Sequence, residues 1–219
     1  MSNSTQLLIT EIYSSIQGES LYTGHPCAFI RLSGCPLNCK WCDTVYSFKD
    51  GNPYTIEEII NEVAKYKLDI VEVTGGEPLA NPNSIHLMQS LIDEGYQVLL
   101  ETSGHLPIKN VPEEVHVIMD IKCPASGMAS KNYWENIKKL KPSDEVKFVV
   151  ASKQDFNWAK QIIDDHSLQS KAQLCFSPAW GHVDPKDLVG WLLDEQPNLK
   201  ARLNLQIHKY IWSPKAKGV

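Results

Sequence analysis

The sequence of 219 residues lacks several features that mark membrane-inserted, exported or disordered chains. No apolar run approaches the ~20 residues that a membrane-spanning helix needs, so we expect no membrane insertion. Residues 1–6 are polar and precede no hydrophobic segment of a signal peptide, which predicts a cytoplasmic protein. Because no Gly/Ser-rich linker, low-complexity tract or charge block occurs either, the sequence predicts one domain over residues 1–219.

Positive charge is also scarce, since 21 Lys and Arg residues stand against 26 Asp and Glu, for a net charge of -5 at pH 7. That balance lacks the broad positive field that binding of a phosphate backbone needs. We therefore expect a small-molecule substrate and no nucleic-acid partner. Hydrophobic residues at 42% and charged residues at 21% are close to the globular average, which predicts a packed core.

Short apolar segments bounded by turn residues recur along the chain and are typical of buried parallel strands. They cover residues 27–32, 70–73, 97–100, 116–119, 146–150, 172–176 and 203–207. Helical patterns lie between most of them, after the capping box at Thr55, from Pro82 to Gly95, and over residues 132–140, 153–166 and 185–195. About six βα repeats predict an α/β fold with an incomplete TIM-type barrel, because a full eightfold barrel usually needs ~250 residues.

Half of the six cysteines lie together in the loop after the first of these segments, over residues 33–44. Cys35, Cys39 and Cys42 follow the spacing Cys-x3-Cys-x2-Cys. In a reducing compartment such thiols stay free and can bind a metal. The other three cysteines are isolated and are expected to be packed in the interior.

Two metal sites suit this spacing. A closed zinc site needs a fourth ligand, for which the sequence offers His25, His105 or His208. A [4Fe-4S] cube held by three cysteines instead leaves one iron open to an exogenous ligand.

Polar residues follow the later predicted strands, at the edge of the sheet where parallel α/β proteins carry their chemistry. They are Thr74, Gly75, Gly76 and Glu77 after the second strand, Thr102 and Ser103 after the third, Asp120 and Lys122 after the fourth, and Ser177 at the sixth. Glycine lets a ligand approach the backbone, and hydroxyl and charged groups can bind ribose or carboxylate groups. Taken singly, each position also suits a capped turn or a solvated charge.

A second polar group lies upstream of the cysteines. Gln17 and Glu19 flank Gly18 on a predicted turn, and Arg31 ends the strand that leads into the cysteine loop. An amide, a carboxylate and a guanidinium can together recognise a polar ligand, although an ordinary glycine turn with solvated neighbours has the same composition.

The cysteine spacing, the aromatic Trp41 before the last cysteine and the Gly-Gly-Glu-Pro sequence at residues 75–78 resemble the radical S-adenosylmethionine (SAM) superfamily. Within it, the chain closely resembles the 7-carboxy-7-deazaguanine synthases, nearly from end to end. The similarity includes Ile-Gln-Gly-Glu at 16–19, Trp-Cys-Asp-Thr at 41–44, Thr-Gly-Gly-Glu-Pro at 74–78, and the segment 206–212.

This resemblance implies a radical SAM core with a [4Fe-4S] cluster, SAM as a regenerated cofactor and a Mg²⁺ ion. In the superfamily SAM chelates the open iron, and its reductive cleavage yields a 5′-deoxyadenosyl radical. The implied reaction is the ring contraction of 6-carboxy-5,6,7,8-tetrahydropterin to 7-carboxy-7-deazaguanine with loss of ammonia, a lyase step in 7-deazapurine (queuosine) biosynthesis for tRNA modification. A homodimer and a reducing partner such as flavodoxin or ferredoxin are also implied.

The resemblance further assigns residues by position. The substrate set is Ile16, Gln17, Gly18, Glu19, Arg31 and Thr74. The SAM set is Trp41, Cys42, Asp43, Gly75, Gly76, Glu77, Thr102, Ser103, Asp120, Lys122 and Ser177. The cluster ligands are Cys35, Cys39 and Cys42, and the Mg²⁺ ligand is Thr44.

Two departures from the family pattern matter. The family often has Ser-Pro-Lys where this chain has Asp120-Ile-Lys122, so this part of the SAM set departs from the family pattern. Some members end near a proline whose terminal carboxylate reaches the substrate, whereas this chain continues from Pro214 to Val219, so that contact is left open.

Two alternatives remain. A radical SAM activating enzyme for a glycyl-radical protein shares the cysteine spacing and the Gly-Gly-Glu-Pro motif, but it leaves Gln17, Glu19 and Arg31 without a role. A zinc-stabilised binding protein without catalytic activity is the alternative outside the enzymes.

Overall fold

A computed structural model describes residues 6–219 of the chain, so the polar N-terminus on which no signal peptide is expected, residues 1–6, lies outside the described residues except for Gln6. The strands are β1 (Gln6–Ile16), β2 (Pro26–Leu32), β3 (Asn52–Thr55), β4 (Ile70–Gly75), β5 (Gln97–Thr102), β6 (His116–Asp120), β7 (Glu145–Val150), β8 (Gln173–Pro178) and β9 (Ala201–Leu203). The helices are α1 (Ile56–Ala64), α2 (Asn83–Asp93), α3 (Lys153–Asp165), α4 (Pro185–Asp194) and α5 (His208–Ile211).

The strands form one sheet in the order β3-β1-β2-β4-β5-β6-β7-β8-β9. Pairing is parallel from β2 through β9, whereas β1 runs antiparallel to both β2 and β3. Within the described chain the edge strands β3 and β9 do not pair with each other, so the sheet stays open. The expected incomplete barrel is confirmed. No helix in residues 6–219 has the length and apolar character needed to cross a bilayer.

The sheet buries one face against the helices and leaves the other to line the barrel interior. Along β4, Val71 and Val73 pack into the hydrophobic core, while Glu72 and Thr74 line an interior cavity. This two-residue alternation places polar side chains inside the barrel even where the strand reads as an apolar run.

The sequence analysis does not predict two of the strands, β1 and β3, because they do not consist of continuous apolar runs. The first part of β1 alternates exposed and buried residues, and β3 is a short edge strand. The predicted strand at 203–207 is also wrong beyond Leu203, where β9 ends. The Asn204 N–H still bonds to the Phe176 carbonyl of β8 at 2.8 Å, and its side-chain amide donates to Glu19 Oε2 at 3.0 Å and to Ser177 Oγ at 2.8 Å.

The helix predicted over residues 132–140 is replaced by short 3-10 turns, which include Trp134–Lys138. Two asparagines explain the difference. Asn132 bonds both backbone groups of Lys122, and the Asn136 amide donates to the carbonyls of Gly104 and Leu106. Such side-chain bonds to distant backbone compete with a regular helix. The regular alternation of strand and helix is therefore interrupted between β5 and β7.

The other predicted helices are confirmed as α1 to α4, with bounds within a few residues. At the start of α1, Thr55 Oγ1 accepts the Glu58 N–H at 3.2 Å, and the Glu58 carboxylate accepts the Thr55 N–H at 2.8 Å. This is the reciprocal capping box that the sequence indicates.

We expect Thr55→Ala to lower the free energy of unfolding by about 1 kcal/mol, because the alanine cannot accept the Glu58 N–H. Chemical denaturation monitored by circular dichroism measures the change. Thr55→Ser retains the acceptor oxygen and is the matched control. Equal stability of the alanine variant and the parent would show that this cap does not stabilise the fold.

Candidate active site

A cavity of about 260 Å³ opens at the carboxyl ends of the parallel strands and extends into the barrel. Its walls come from the cysteine loop after β2 and from residues at the ends of β4, β5, β6 and β8. The loop between β1 and β2 and the segment 213–219 contribute further wall residues. Polar and apolar groups of distant parts of the chain thus meet in one place.

The structure brings together all of the predicted site residues except Glu77. The cavity is lined by Ile16, Gln17, Gly18, Glu19, Arg31, Cys35, Cys39, Trp41, Cys42, Asp43, Thr44, Thr74, Gly75, Gly76, Thr102, Ser103, Asp120, Lys122 and Ser177. The residues that the resemblance assigns to substrate, SAM and metal therefore line the same cavity, with the exception of Glu77.

The three clustered cysteines are free thiols, and all of them line this cavity. Burial raises the pKa of each thiol above its ordinary value. A bound cation reverses that effect, because a thiol that coordinates a metal loses its proton. The isolated Cys27, Cys123 and Cys175 are buried, and as expected they pack in the interior.

Two glycines let the cysteine loop pack against the end of β4. A Cβ atom on Gly76 would lie 2.2 Å from the Gly34 carbonyl oxygen and 2.8 Å from Cys35 Cβ. On Gly75, whose φ is +140°, it would lie 2.2 Å from the Leu32 carbonyl oxygen. The glycine pair is therefore needed for backbone packing beside the cysteines, which is a structural reason for the motif in this chain.

The described residues do not form the single-ion site that the zinc alternative requires. Of the three candidate histidines, His208 lines the cavity, whereas His25 and His105 do not. Across residues 6–219, no group of three His, Cys, Asp or Glu side chains converges closely enough to hold one metal ion. Zinc–sulfur bonds of about 2.3 Å would require such close convergence.

Glu77, predicted as a SAM contact, is absent from the cavity lining, and that role stays a prediction. Its carboxylate accepts bonds from the Leu79 N–H at 3.0 Å, the Thr102 hydroxyl at 2.8 Å and the Ser103 N–H at 2.8 Å. Although burial opposes it, these bonds and His105 hold the pKa of Glu77 below its ordinary value. Glu77 thus joins the ends of β4 and β5 and orders Thr102 and Ser103.

Arg31 reaches the cavity with part of its guanidinium already bound. Its Nε donates to Glu11 Oε1 at 2.7 Å, and Nη2 donates to the Tyr13 hydroxyl at 2.8 Å. The Tyr46 hydroxyl also donates to Glu11 Oε1, at 2.7 Å. These contacts fix the guanidinium plane, and among the described residues no hydrogen bond occupies its Nη1 donors, which a ligand can use.

Gln17, Gly18 and Glu19 form the inner end of the cavity. The Gln17 amide donates to Glu72 and accepts the Glu19 N–H at 2.7 Å. The Glu19 carboxylate is bound by Lys147, Asn204 and Gln206 at 2.9–3.0 Å. A Cβ atom on Gly18 would lie 2.1 Å from His208 Nδ1, so glycine is required where α5 approaches this loop.

Sequence reasoning missed several charged residues of the cavity, among them Glu72, Glu101, Lys147 and Lys209. Glu72 and Lys147 each interrupt an apolar strand segment, and that interruption was the available signal. Lys147 lies between Glu19, at 3.0 Å, and Glu101, to which it is also paired. Lys209 follows the last strand and lies in the segment 206–212 that shares the family similarity, which was the available signal there.

Lys209 joins α5 to the cysteine loop. Its ammonium lies 2.6 Å from Asp43 Oδ2 and donates to Gln206 Oε1 at 2.7 Å. Despite the opposing effect of burial, Lys209 holds the pKa of Asp43 well below its ordinary value. The Asp43 carboxylate therefore serves first to fix the loop that carries the cysteines.

Asp120 and Lys122 form an ion pair of 2.7 Å on the opposite wall. Asp120 Oδ1 is buried and has no hydrogen-bond partner among the described residues. A buried acceptor without a partner is costly, and a donor on a bound ligand would satisfy it. This atom and the three thiols provide complementary groups for a ligand with donors bound beside a metal cluster.

The segment after α5 folds back over the cavity. Ser213, Pro214 and residues 216–219 line it, and the Lys217 ammonium lies 4.3 Å from the Tyr46 ring centroid. The chain beyond Pro214 therefore reaches the cavity.

Comparison with known proteins extends these observations. The model of the radical SAM superfamily matches residues 29–163. The 7-carboxy-7-deazaguanine synthase of Koribacter versatilis (strain Ellin345) is 46% identical over 96% of this chain and 99% of its own. The enzyme of that name from Chlorobaculum tepidum is 44% identical, and the alignment covers 100% of both chains.

The fold also matches a solved structure. QueE from Escherichia coli superposes with a TM-score of 0.77 over 91% of this chain and 93% of its own, at 21% identity. This similarity concerns the fold, and it agrees with the open, mostly parallel sheet described above.

Proposed function

We propose that this chain, which belongs to the radical SAM superfamily and within it to the 7-carboxy-7-deazaguanine synthases, catalyses the ring contraction of 6-carboxy-5,6,7,8-tetrahydropterin. The reaction takes place in the cavity described above. The product is 7-carboxy-7-deazaguanine, released with ammonia, which makes the protein a radical SAM lyase. The observation that carries the assignment of the site is the meeting of three free thiols with Gln17, Arg31 and their neighbours in one cavity.

The cofactors of the family are a [4Fe-4S] cluster and SAM, and the cavity offers groups that fit both. Cys35, Cys39 and Cys42 would hold the cluster, and three ligands suit a cube with one open iron. The unpartnered Asp120 Oδ1 would accept from the SAM amino group, with Lys122 beside it for the carboxylate. When bound, the cluster and SAM supply the radical chemistry that activates the substrate.

The chain's own residues bind and orient the pterin. Arg31, already fixed by Glu11 and Tyr13, would direct its remaining donors to the substrate carboxylate. Gln17, Gly18 and Glu19 form the inner end, where the ring is held, and Thr74 lies on the same strand face as Glu72. Because Lys147, Asn204 and Gln206 fix Glu19, little reorganisation is needed when substrate enters.

The two alternatives are weaker. A zinc-stabilised protein would need a single-ion site, which the described residues do not form. An activating enzyme for a protein partner would leave the ordered Gln17, Glu19 and Arg31 groups inside the barrel without a purpose. Supplying 6-carboxytetrahydropterin to the reduced, reconstituted protein and assaying for the deazapurine product tests the choice between the two enzymes.

The further features of the proposal follow from the family and the thiols. The nine-stranded sheet supports a single domain, with the β1–β2 loop as its substrate segment and residues 33–44 as its cluster loop. Six free cysteines support a reducing, cytoplasmic setting. A one-electron donor such as flavodoxin or ferredoxin would reduce the cluster, and a homodimer is the family's expected assembly.

Thr44 is the proposed Mg²⁺ ligand, and its geometry supports that role over a structural one. Its side chain makes no capping bond to the following 3-10 turn, Val45–Phe48, in the described structure. Its hydroxyl donates to Asp43 Oδ1 at 3.1 Å and lines the cavity. A neutral oxygen ligand, with substrate oxygens and waters, suits the octahedral shell of Mg²⁺.

We expect Thr44→Ala to retain the cluster and SAM binding but to lose most of its Mg²⁺-stimulated turnover, while Thr44→Ser retains more because the oxygen remains. Titrating MgCl₂ into single-turnover assays measures the response. The alanine variant should unfold at nearly the parent's denaturant midpoint, since no cap is lost. An unchanged magnesium response in that variant would remove Thr44 from the metal site.

A further inference from the structure

Glu72 is a carboxyl group in the middle of a buried parallel strand, with Val71 and Val73 beside it in the core. Its side chain faces the cavity from the same side of β4 as Thr74. A carboxyl group in this position is costly to bury unless its oxygens are bound. The sequence analysis predicts this segment as an apolar strand, and the family resemblance assigns no role to Glu72.

Among the described residues, one of the two oxygens of the Glu72 carboxyl group has a hydrogen-bond partner. The Gln17 amide donates to Oε2, and the Gln17 oxygen is occupied by the Glu19 N–H at 2.7 Å. Among the described residues, no hydrogen bond reaches Glu72 Oε1, and that atom is not sealed from the cavity. One oxygen therefore anchors Gln17, and the other is available to a ligand.

The surrounding charges favour the protonated form of Glu72. Burial, reinforced by the Glu101 carboxylate, raises the pKa of Glu72 well above its ordinary value, although Lys147 and Arg31 oppose the shift. Lys147 is committed to Glu19 and Glu101, and Arg31 to Glu11, so neither forms an ion pair with Glu72. A protonated carboxyl accepts the Gln17 amide on one oxygen and can donate its O–H from the other.

We propose that Glu72 is a specificity-determining residue that donates a hydrogen bond to an acceptor atom on the fused ring of the substrate. The inference rests on the proposed function, because it needs a pterin at the inner end of the cavity. The neighbours of Glu72 there are Gln17 and Thr74, both from the substrate set. In this proposal Arg31 binds the substrate carboxylate, and Glu72 donates a hydrogen bond to the fused ring.

Two variants separate hydrogen bonding from packing. Glu72→Gln keeps the shape, an acceptor for Gln17 and an N–H donor for the ring. Glu72→Leu keeps similar volume but removes both polar functions. Ser84→Ala, at a buried hydroxyl in α2 outside the cavity, is the control for an unrelated interior change. Thermal melting and SAM binding verify that each variant is folded and loaded.

The readouts are the dissociation constant of 6-carboxytetrahydropterin for the reconstituted, SAM-loaded enzyme and the inhibition constant of tetrahydropterin without the 6-carboxylate. We expect Glu72→Leu to weaken both ligands by about tenfold or more, and Glu72→Gln to stay within about threefold of the parent. Arg31→Lys should weaken the carboxylated ligand far more than the ligand without the carboxylate, because the carboxylate is the proposed partner of Arg31.

Unchanged affinities in Glu72→Leu, with the parent binding both pterins, would overturn the role of Glu72 and leave the proposed function standing. Loss in Glu72→Gln as large as in Glu72→Leu would also overturn it, since a retained donor should rescue binding. Should the parent bind neither pterin, the proposed function and this inference would fail together.

Discussion

Replacing Cys35, Cys39 and Cys42 together by alanine is expected to abolish iron binding after anaerobic reconstitution. All three thiols line the cavity and stand on one loop, and the parent should bind about four irons per chain, the stoichiometry of a cube. The absorption spectrum of the parent should show the broad visible band of a cluster, and the triple variant should show none. Iron and sulfide analysis on the same samples gives the count.

The matched control removes two thiols that do not line the cavity, in Cys123→Ala and Cys175→Ala. Both variants should bind iron as the parent does, since their thiols are buried in the interior. A triple variant that still held about four irons per chain would contradict the assignment of the cluster ligands. A parent that bound one zinc ion in place of iron would support the zinc alternative.

Arg31→Lys is expected to weaken substrate binding strongly while the cluster and uncoupled SAM cleavage survive. Lysine keeps a positive charge but cannot donate in the planar geometry that a carboxylate needs. It also cannot maintain both contacts that hold the guanidinium, to Glu11 and Tyr13. Hydrogen bonds to charged groups contribute about 1.5–3 kcal/mol, so the dissociation constant should rise by about tenfold or more.

Equilibrium binding of 6-carboxytetrahydropterin to the SAM-loaded protein measures this effect, and formation of 5′-deoxyadenosine without substrate measures the surviving cleavage. Lys160→Arg is the control, because Lys160 pairs with Glu195 outside the cavity. Normal substrate affinity in Arg31→Lys would assign the carboxylate to another residue.

The parts of the fold that follow from local pattern could be predicted from the sequence. The apolar segments of β2 and β4 to β8 and the capping box of α1 have local signals, and the structure confirms them. By contrast, β1 pairs through alternating residues, and its strand identity depends on partners at β2 and β3. Residues 132–140 have helical periodicity, but Asn132 and Asn136 bind backbone far away in sequence.

The candidate site shows the same division. Parallel strands bring their carboxyl ends to one edge, so the cysteine loop, Thr74 and Asp120 could be expected to meet. The hydrogen bonds of Glu77 could not be predicted from its motif, because the hydroxyl and backbone groups that donate to it come from the end of β5. That Glu72 and Lys147 face the cavity could not be predicted, because the direction of a strand side chain depends on register, which apolar composition does not reveal.

The most direct test of the account is anaerobic turnover by the reduced, reconstituted protein with SAM, Mg²⁺ and 6-carboxy-5,6,7,8-tetrahydropterin, followed by mass spectrometry. Omitting SAM or the reductant, or using the triple cysteine variant, supplies the controls. The account predicts 7-carboxy-7-deazaguanine in multiple turnovers, with SAM not consumed in proportion, and no product in any control. A protein that holds its cluster and cleaves SAM but forms no deazapurine from this pterin would contradict it.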